Sequence, residues 1–176
     1  AYDLAKNLDI PSYALVITHP DKCHMYFNGA DADTIFPIAS LSKSFAAALT
    51  AILVKDGLLN WDDPISKFDI GFKLSEPKAS ARLTVRDILS NINPLPPNAL
   101  DHLTELGFSL ENLLNKLELV PISGEFKYSY QNILFSVIKL IIEKITGVSY
   151  EECLKQRILE PLCMTQSCLN QQEYEQ

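Results

Sequence analysis

Basic residues are scarce in this sequence: 15 lysines and arginines stand against 22 aspartates and glutamates, for a net charge of -7. No cluster of cations breaks that balance, so phosphate backbones and anionic lipid are repelled and no nucleic-acid partner is expected. Long apolar runs are absent as well. The longest uncharged apolar stretch, Ser44 to Val54, falls short of the roughly 18 residues needed to cross a bilayer, so no membrane-spanning segment is expected. Metal-binding patterns are missing. Cys23, Cys153, Cys163 and Cys168 contain no C-x-x-C pair, and His19, His24 and His102 form no H-x-x-x-H or H-E-x-x-H group, so no metal is expected. The four cysteines fit buried free thiols, and a Cys163–Cys168 bridge is the other reading, so they do not fix the redox compartment. The chain starts at Ala1 without a basic start and apolar core, hence without a secretory signal in these residues. Repeats and low-complexity stretches are lacking too. With 47% hydrophobic and 21% charged residues in 176, disordered, collagen-like and coiled-coil chains are excluded, and one domain is expected.

The chain opens with strand-like sequence. Ser12 to Thr18 is apolar and β-branched, His19-Pro20-Asp21-Lys22 forms a turn, and Cys23 to Phe27 returns to a break at Asn28-Gly29; this predicts a hairpin over about 12–27. From Ser40 the pattern turns helical, and the helical region extends over about 40–165. Leu41 to about Lys55 reads as a helix stopped by Asp56-Gly57. Thr84, with Asp87 as a partial capping box, opens a short helix into Leu89, and Asn93 to Pro97 breaks the chain. Ser109 caps Leu110 to Leu119. Asn132 opens a longer helix that Gly147 ends, and Ser149 with Glu152 forms a capping box for a helix running into Arg157. A hairpin followed by at least five helices makes an α/β (α+β) chain whose two strands need a further sheet.

The chemistry begins at Phe36-Pro37-Ile38-Ala39-Ser40-Leu41-Ser42-Lys43. Ser40 and Lys43 are three apart, which on a helix places both side chains on one face. A serine hydroxyl is a weak nucleophile until a nearby base takes its proton, and a lysine amine can do so where burial favours its neutral form. The uncharged, apolar Ser44 to Val54 predicts a helix surrounded by protein on all sides, with Lys43 at its entrance. Ser40 at the helix N-terminus would also have backbone N–H groups available to an oxyanion. The plainer reading makes Ser40 a cap and Lys43 a surface lysine. A second constellation, Tyr128-Ser129-Tyr130-Gln131-Asn132, precedes the long helix. There Tyr130 could pass protons beside a cation and Asn132 could hydrogen-bond a substrate; alternatively Tyr130 is a half-buried aromatic bonded to backbone.

Taken together, these stretches resemble the serine β-lactamase and penicillin-binding protein superfamily, closest to class C β-lactamases and the related D-alanyl-D-alanine carboxypeptidases and esterases. FPIASLSKSF is similar to the family's nucleophile segment, with Ser40 and Lys43 in the S-x-x-K positions. DGLLNWDDPISKF and LTVRDILSN resemble the segments that follow it, and YSYQN with the sequence to Met164 resembles the Tyr-x-Asn motif and its trailing helices. The resemblance implies a β-lactamase/transpeptidase-like fold and a serine hydrolase acting through an acyl-enzyme on a β-lactam, D-alanyl peptide or ester carbonyl. Ser40, Lys43 and Tyr130 would be catalytic, Asn132 substrate-binding, and no cofactor is implied. The implied partner is a small-molecule or peptidoglycan-type substrate, and the implied location is periplasmic or otherwise extracytoplasmic. Two departures stand out. Asn91-Ile92-Asn93-Pro94-Leu95-Pro96 replaces a His-Thr/Arg-Ser-Gly-Leu-Pro stretch, and no Lys-Thr-Gly or His-x-Gly follows Met164. The chain is therefore expected to be a single partial domain over 1–176, the N-terminal portion of a longer protein whose C-terminal sheet strands lie beyond it. The alternative is a non-catalytic module that keeps the fold to bind peptidoglycan fragments or a protein partner.

Overall fold

The computed structural model describes residues 7–174. The chain divides into two compact units: one comprises the residues up to Ile38 with those from Met164 onward, the other runs from Ala39 to Cys163.

The first unit is built on the expected hairpin. Strands β1 (Tyr13–His19) and β2 (Lys22–Asn28) pair antiparallel from Tyr13 opposite Asn28 to His19 opposite Lys22, leaving Pro20-Asp21 as a two-residue turn. Its exit requires glycine, because Gly29 has φ +59° and a Cβ there would collide with the Pro11 carbonyl oxygen. Leu15, Val16 and Ile17 on β1 and Met25, Tyr26 and Phe27 on β2 are all exposed, so both faces of the hairpin present apolar side chains.

The second unit is helical. Helix α1 (Ser42–Lys55) follows a 3-10 turn at Ala39–Leu41 and ends where expected. There the Leu58 N–H reaches the Leu53 carbonyl and the Gly57 N–H the Val54 carbonyl, with Gly57 at φ +76°, the paired closure that a left-handed residue permits. Short helices α2 (Pro77–Arg82), α3 (Val85–Leu89), α4 (Asp101–Glu105) and α5 (Leu110–Leu117) precede the long α6 (Ile133–Thr146), which leads to α7 (Tyr150–Leu154). The core forms where α1, α3 and α7 meet α6: Leu49 and Leu53 of α1 and Ile88 of α3 are buried, as are Leu134, Val137, Ile138, Ile141 and Ile142 of α6. Each such side chain contributes about 1.5–3 kcal/mol of burial, which fixes α1 and α6, and hence the chain entering each of them.

Several local expectations are revised. The Thr84–Asp87 capping box is complete, each side chain accepting from the other's backbone N–H. At α7 only half a box forms: Ser149 Oγ accepts from the Glu152 N–H, while the Glu152 carboxylate turns to Gln156. Helical winding then continues through a wider π turn at Lys155–Leu159, two residues past Arg157. Helix α5 stops at Leu117 rather than Leu119. The segment expected only to break the chain contains a strand, β3 (Ile92–Asn93), paired antiparallel with β4 (Lys127–Tyr128). Nor is α1 enclosed on all sides, since Ser44, Ala48 and Ala51 form an exposed line along it. All four cysteines are free and only Cys153 is buried, so the Cys163–Cys168 bridge is absent and burial of all four thiols is not observed. Among the described residues no helix is long and apolar enough to cross a membrane.

Candidate active site

The entrance to α1 is bent into place by its backbone. Ala39 takes φ +44°, a left-handed conformation that costs a non-glycine residue roughly 1–2 kcal/mol. The next residues are held by their own side chains: Ser42 Oγ donates to the Ala39 carbonyl and Ser44 Oγ to the Leu41 carbonyl, both at 2.6 Å. Ser40 is therefore displayed on the 3-10 turn just ahead of α1, with Lys43 one turn further along the same face.

The Tyr-x-Asn segment reaches the same place from the other side of the unit. From Tyr128 to Asn132 buried and open positions alternate along the chain. Tyr128 is 69% exposed, Ser129 and Gln131 are 5% and 0% exposed, and Tyr130 and Asn132 lie on the open side. The inward pair is tied to the segment 91–99. Ser129 Oγ donates to the Leu95 carbonyl at 2.7 Å, Gln131 Nε2 donates to the Pro96 carbonyl at 2.6 Å, and Gln131 Oε1 accepts from the Ala99 N–H at 3.1 Å. Asn93, itself fully buried, donates to the Ser129 carbonyl at 2.8 Å and accepts from the Leu95 N–H. The Asn91 carbonyl and side-chain oxygen accept from the Ser129 and Gln131 N–H groups. The segment 91–99 is thus the brace behind Tyr130 and Asn132. A buried network of this kind is rigid because every member is satisfied, and no buried side-chain polar atom lacks a partner among the described residues.

The two segments converge. Ser40 Oγ lies 2.6 Å from Tyr130 OH, Lys43 Nζ donates to Ser40 Oγ at 3.0 Å and to Asn132 Oδ1 at 2.6 Å. Lys43 Nζ also sits 5.0 Å from the Tyr130 ring centre and 5.4 Å from that of Phe135. All four residues singled out from sequence meet here, although Ser40 and Tyr130 are 90 positions apart. Asn132 does not cap α6 with its side chain; its amide is spent on Lys43 and on Asp101, whose Oδ2 accepts from Asn132 Nδ2 at 2.7 Å. Asp101 was not anticipated, and neither were Asn93, Ser129 and Gln131 in the brace. The neighbouring Lys43 amine, then the hydrogen bond with Ser40, holds the Tyr130 phenol below the usual tyrosine range, while desolvation and the Asp101 charge act in the opposite direction. Ser40 is exposed and Lys43 half-buried, so a carbonyl can approach the hydroxyl while Lys43 Nζ and Tyr130 OH stay within hydrogen-bond reach of it.

The family profile described as Beta-lactamase matches residues 3–176. The chain belongs to the beta-lactamase family. Ser40 and Lys43 at the entrance to α1 and the Tyr-x-Asn segment all lie within the unit from Ala39 to Cys163. Protein flp of Staphylococcus aureus (strain NCTC 8325 / PS 47) is 27% identical over 150 residues, covering 82% of this chain and 30% of that protein. An octameric penicillin-binding protein homologue from Pyrococcus abyssi superposes with TM-score 0.85 at 25% identity, over 99% of this chain and 44% of that one. A class C beta-lactamase superposes with TM-score 0.81 at 21% identity, over 99% and 50%. The chain therefore spans about a third of the length of the curated relative and about half of each solved structure.

Proposed function

We propose that Ser40 is the nucleophile of a serine hydrolase that works through an acyl-enzyme on a β-lactam, D-alanyl peptide or ester carbonyl. The observation that carries this reading is the position of Ser40 Oγ between Lys43 Nζ at 3.0 Å and Tyr130 OH at 2.6 Å. Ser40 Oγ attacks the carbonyl carbon and its proton passes into the Lys43–Tyr130 pair. That proton then leaves on the departing amine or alcohol as the carbonyl–heteroatom bond breaks. Water, deprotonated by the same pair, next attacks the Ser40 ester, and the pair returns that proton to Ser40 Oγ as the ester C–O bond breaks and the acid is released. Asn132 turns one Nδ2 hydrogen toward Asp101 and keeps the other for the substrate.

The test is intact-mass analysis of the full-length protein carrying this sequence after incubation with a fluorescent penicillin and, separately, with an activated phenyl ester. One acyl adduct is expected on Ser40 and none in Ser40→Ala. No adduct from either reagent, or an adduct that survives the substitution, defeats the assignment.

A further inference from the structure

Asp101 brings a carboxylate to the site by a strained route. It is the first residue of α4, following Leu100 at φ +64° and Asn98 at φ +56°, two non-glycine residues in a region that side chains avoid. The turn is pinned to the Tyr-x-Asn segment itself: the Asn98 N–H donates to the Tyr130 carbonyl at 2.9 Å, the Ala99 N–H to Gln131 Oε1, and the Asp101 N–H to the Asn98 carbonyl at 3.2 Å. Strain that the surroundings hold in this way concentrates where geometry matters to function. Asp101 is half-buried and forms no salt bridge among the described residues.

The Asn132 amide lies between Lys43, which donates to its oxygen at 2.6 Å, and Asp101, which accepts from its nitrogen at 2.7 Å. A carboxylate can only accept, so an amide turned end for end would set its oxygen against Asp101 and lose both bonds. We infer that Asp101 is the positioning and specificity-determining residue of this site: it sets the orientation of the Asn132 amide and makes the site prefer acyl groups bearing a protonated amine. This rests on the acyl-enzyme reading above. An acyl group whose carbonyl accepts from the free Nδ2 hydrogen of Asn132 places its α-substituent beside the Asp101 carboxylate. There an ammonium gains a partner and an apolar group gains nothing.

The test uses the full-length protein carrying this sequence with two thioesters of the same carbon skeleton, phenylglycyl (as both enantiomers) and phenylacetyl, which differ by one ammonium. Each kcat/KM is divided by the substrate's hydrolysis rate in buffer. The phenylglycyl to phenylacetyl ratio is expected to be about fivefold for the better enantiomer, in keeping with an ion pair open to solvent, and to shrink as salt is added. Asp101→Asn should bring the ratio to about one, and Asp101→Glu should keep part of the preference. A ratio at or below one in the unsubstituted protein, or the same ratio and salt dependence in Asp101→Asn, overturns the inference. If Asp101→Asn does not fold, the salt dependence of the unsubstituted protein and the Asp101→Glu ratio decide. Absence of Ser40-dependent hydrolysis of both thioesters is the separate failure, that of the acyl-enzyme reading, and removes this inference with it.

Discussion

Replacing Gln131 by Met keeps the length of the side chain and removes its polar end. In the native structure that end accepts from the buried Ala99 N–H at 3.1 Å and donates to the carbonyl of the exposed Pro96 at 2.6 Å and to Ser129 Oγ at 3.2 Å. Ser129 Oγ keeps its own bond to the Leu95 carbonyl and Pro96 is exposed, so the variant strands one buried group, the Ala99 N–H. An unpaired buried group costs about 1–3 kcal/mol. With that one buried group left unpaired, the loss is about 1–3 kcal/mol, or a fall in Tm of roughly 2–12 °C for a domain of this size. Ser40 acylation should fall as well, because the brace positions Tyr130 and Asn132 on either side of Gln131. Gln131→Glu sharpens the test. It can still accept from Ala99, but as a carboxylate it would face the Pro96 carbonyl, so it must be protonated to fold in place. Its pKa is then raised in the folded state, the unfolded chain ionises first near about 4.3, and stability falls as pH rises above that value until the folded carboxyl itself ionises. Thermal unfolding followed by circular dichroism across pH measures both effects. A Tm for Gln131→Met within about 2 °C of the parent, or a Gln131→Glu deficit that does not change with pH, would refute the account of the brace.

Two further outcomes follow from the site. Lys43→Arg keeps a cation over the Tyr130 ring but cannot give up its proton; acylation of Ser40 should drop at least about 100-fold with folding intact, and near-native acylation in that variant would make Lys43 purely structural. Among the seven tyrosines, Tyr130 is held low by Lys43 and Ser40, while Tyr150 is pushed up to about 12, chiefly by burial. In an ultraviolet titration Tyr130→Phe should therefore remove a phenolate formed below the usual tyrosine range and Tyr150→Phe one formed above it, and a titration curve unmoved by Tyr130→Phe would contradict the geometry around Ser40.

What could be read from the sequence follows the range of the interaction that causes it. The hairpin turn, the Thr84 and Ser109 caps and the glycine stops at Gly57 and Gly147 depend on residues within four positions of one another, and they stand where their local signals put them. The enclosed α1 failed for a different reason. Ser44, Ala48 and Ala51 are small enough to suit surface or core, so an apolar pattern built on them cannot say which faces a neighbour covers. The β3–β4 ladder is two residues long and joins segments 35 positions apart, too short to show alternation and too distant for a turn signal.

The site divides along the same line. Ser40, Lys43, Tyr130 and Asn132 were legible because each pair is close in sequence and chemically unusual, so the residue types announced themselves before the fold was known. Asp101, Asn93 and Gln131 carry no such mark: an aspartate after two apolar residues and an amide before another amide are ordinary, and their partners lie 31 to 36 positions away. One signal was present in the motif. Tyr128 to Asn132 alternates aromatic or amide positions with Ser129 and Gln131, and that alternation sends two polar side chains inward. Polar groups that enter a protein interior must find partners there, so the motif required a satisfying backbone somewhere in the chain. Asn93-Pro94-Leu95-Pro96-Pro97 is such a backbone, since its three prolines have no N–H and their carbonyls cannot all be used in a regular element. This stretch supplies, at Pro96, the carbonyl on which Gln131 rests. A substitution there should accordingly be felt at Ser40, although nothing in the stretch touches it.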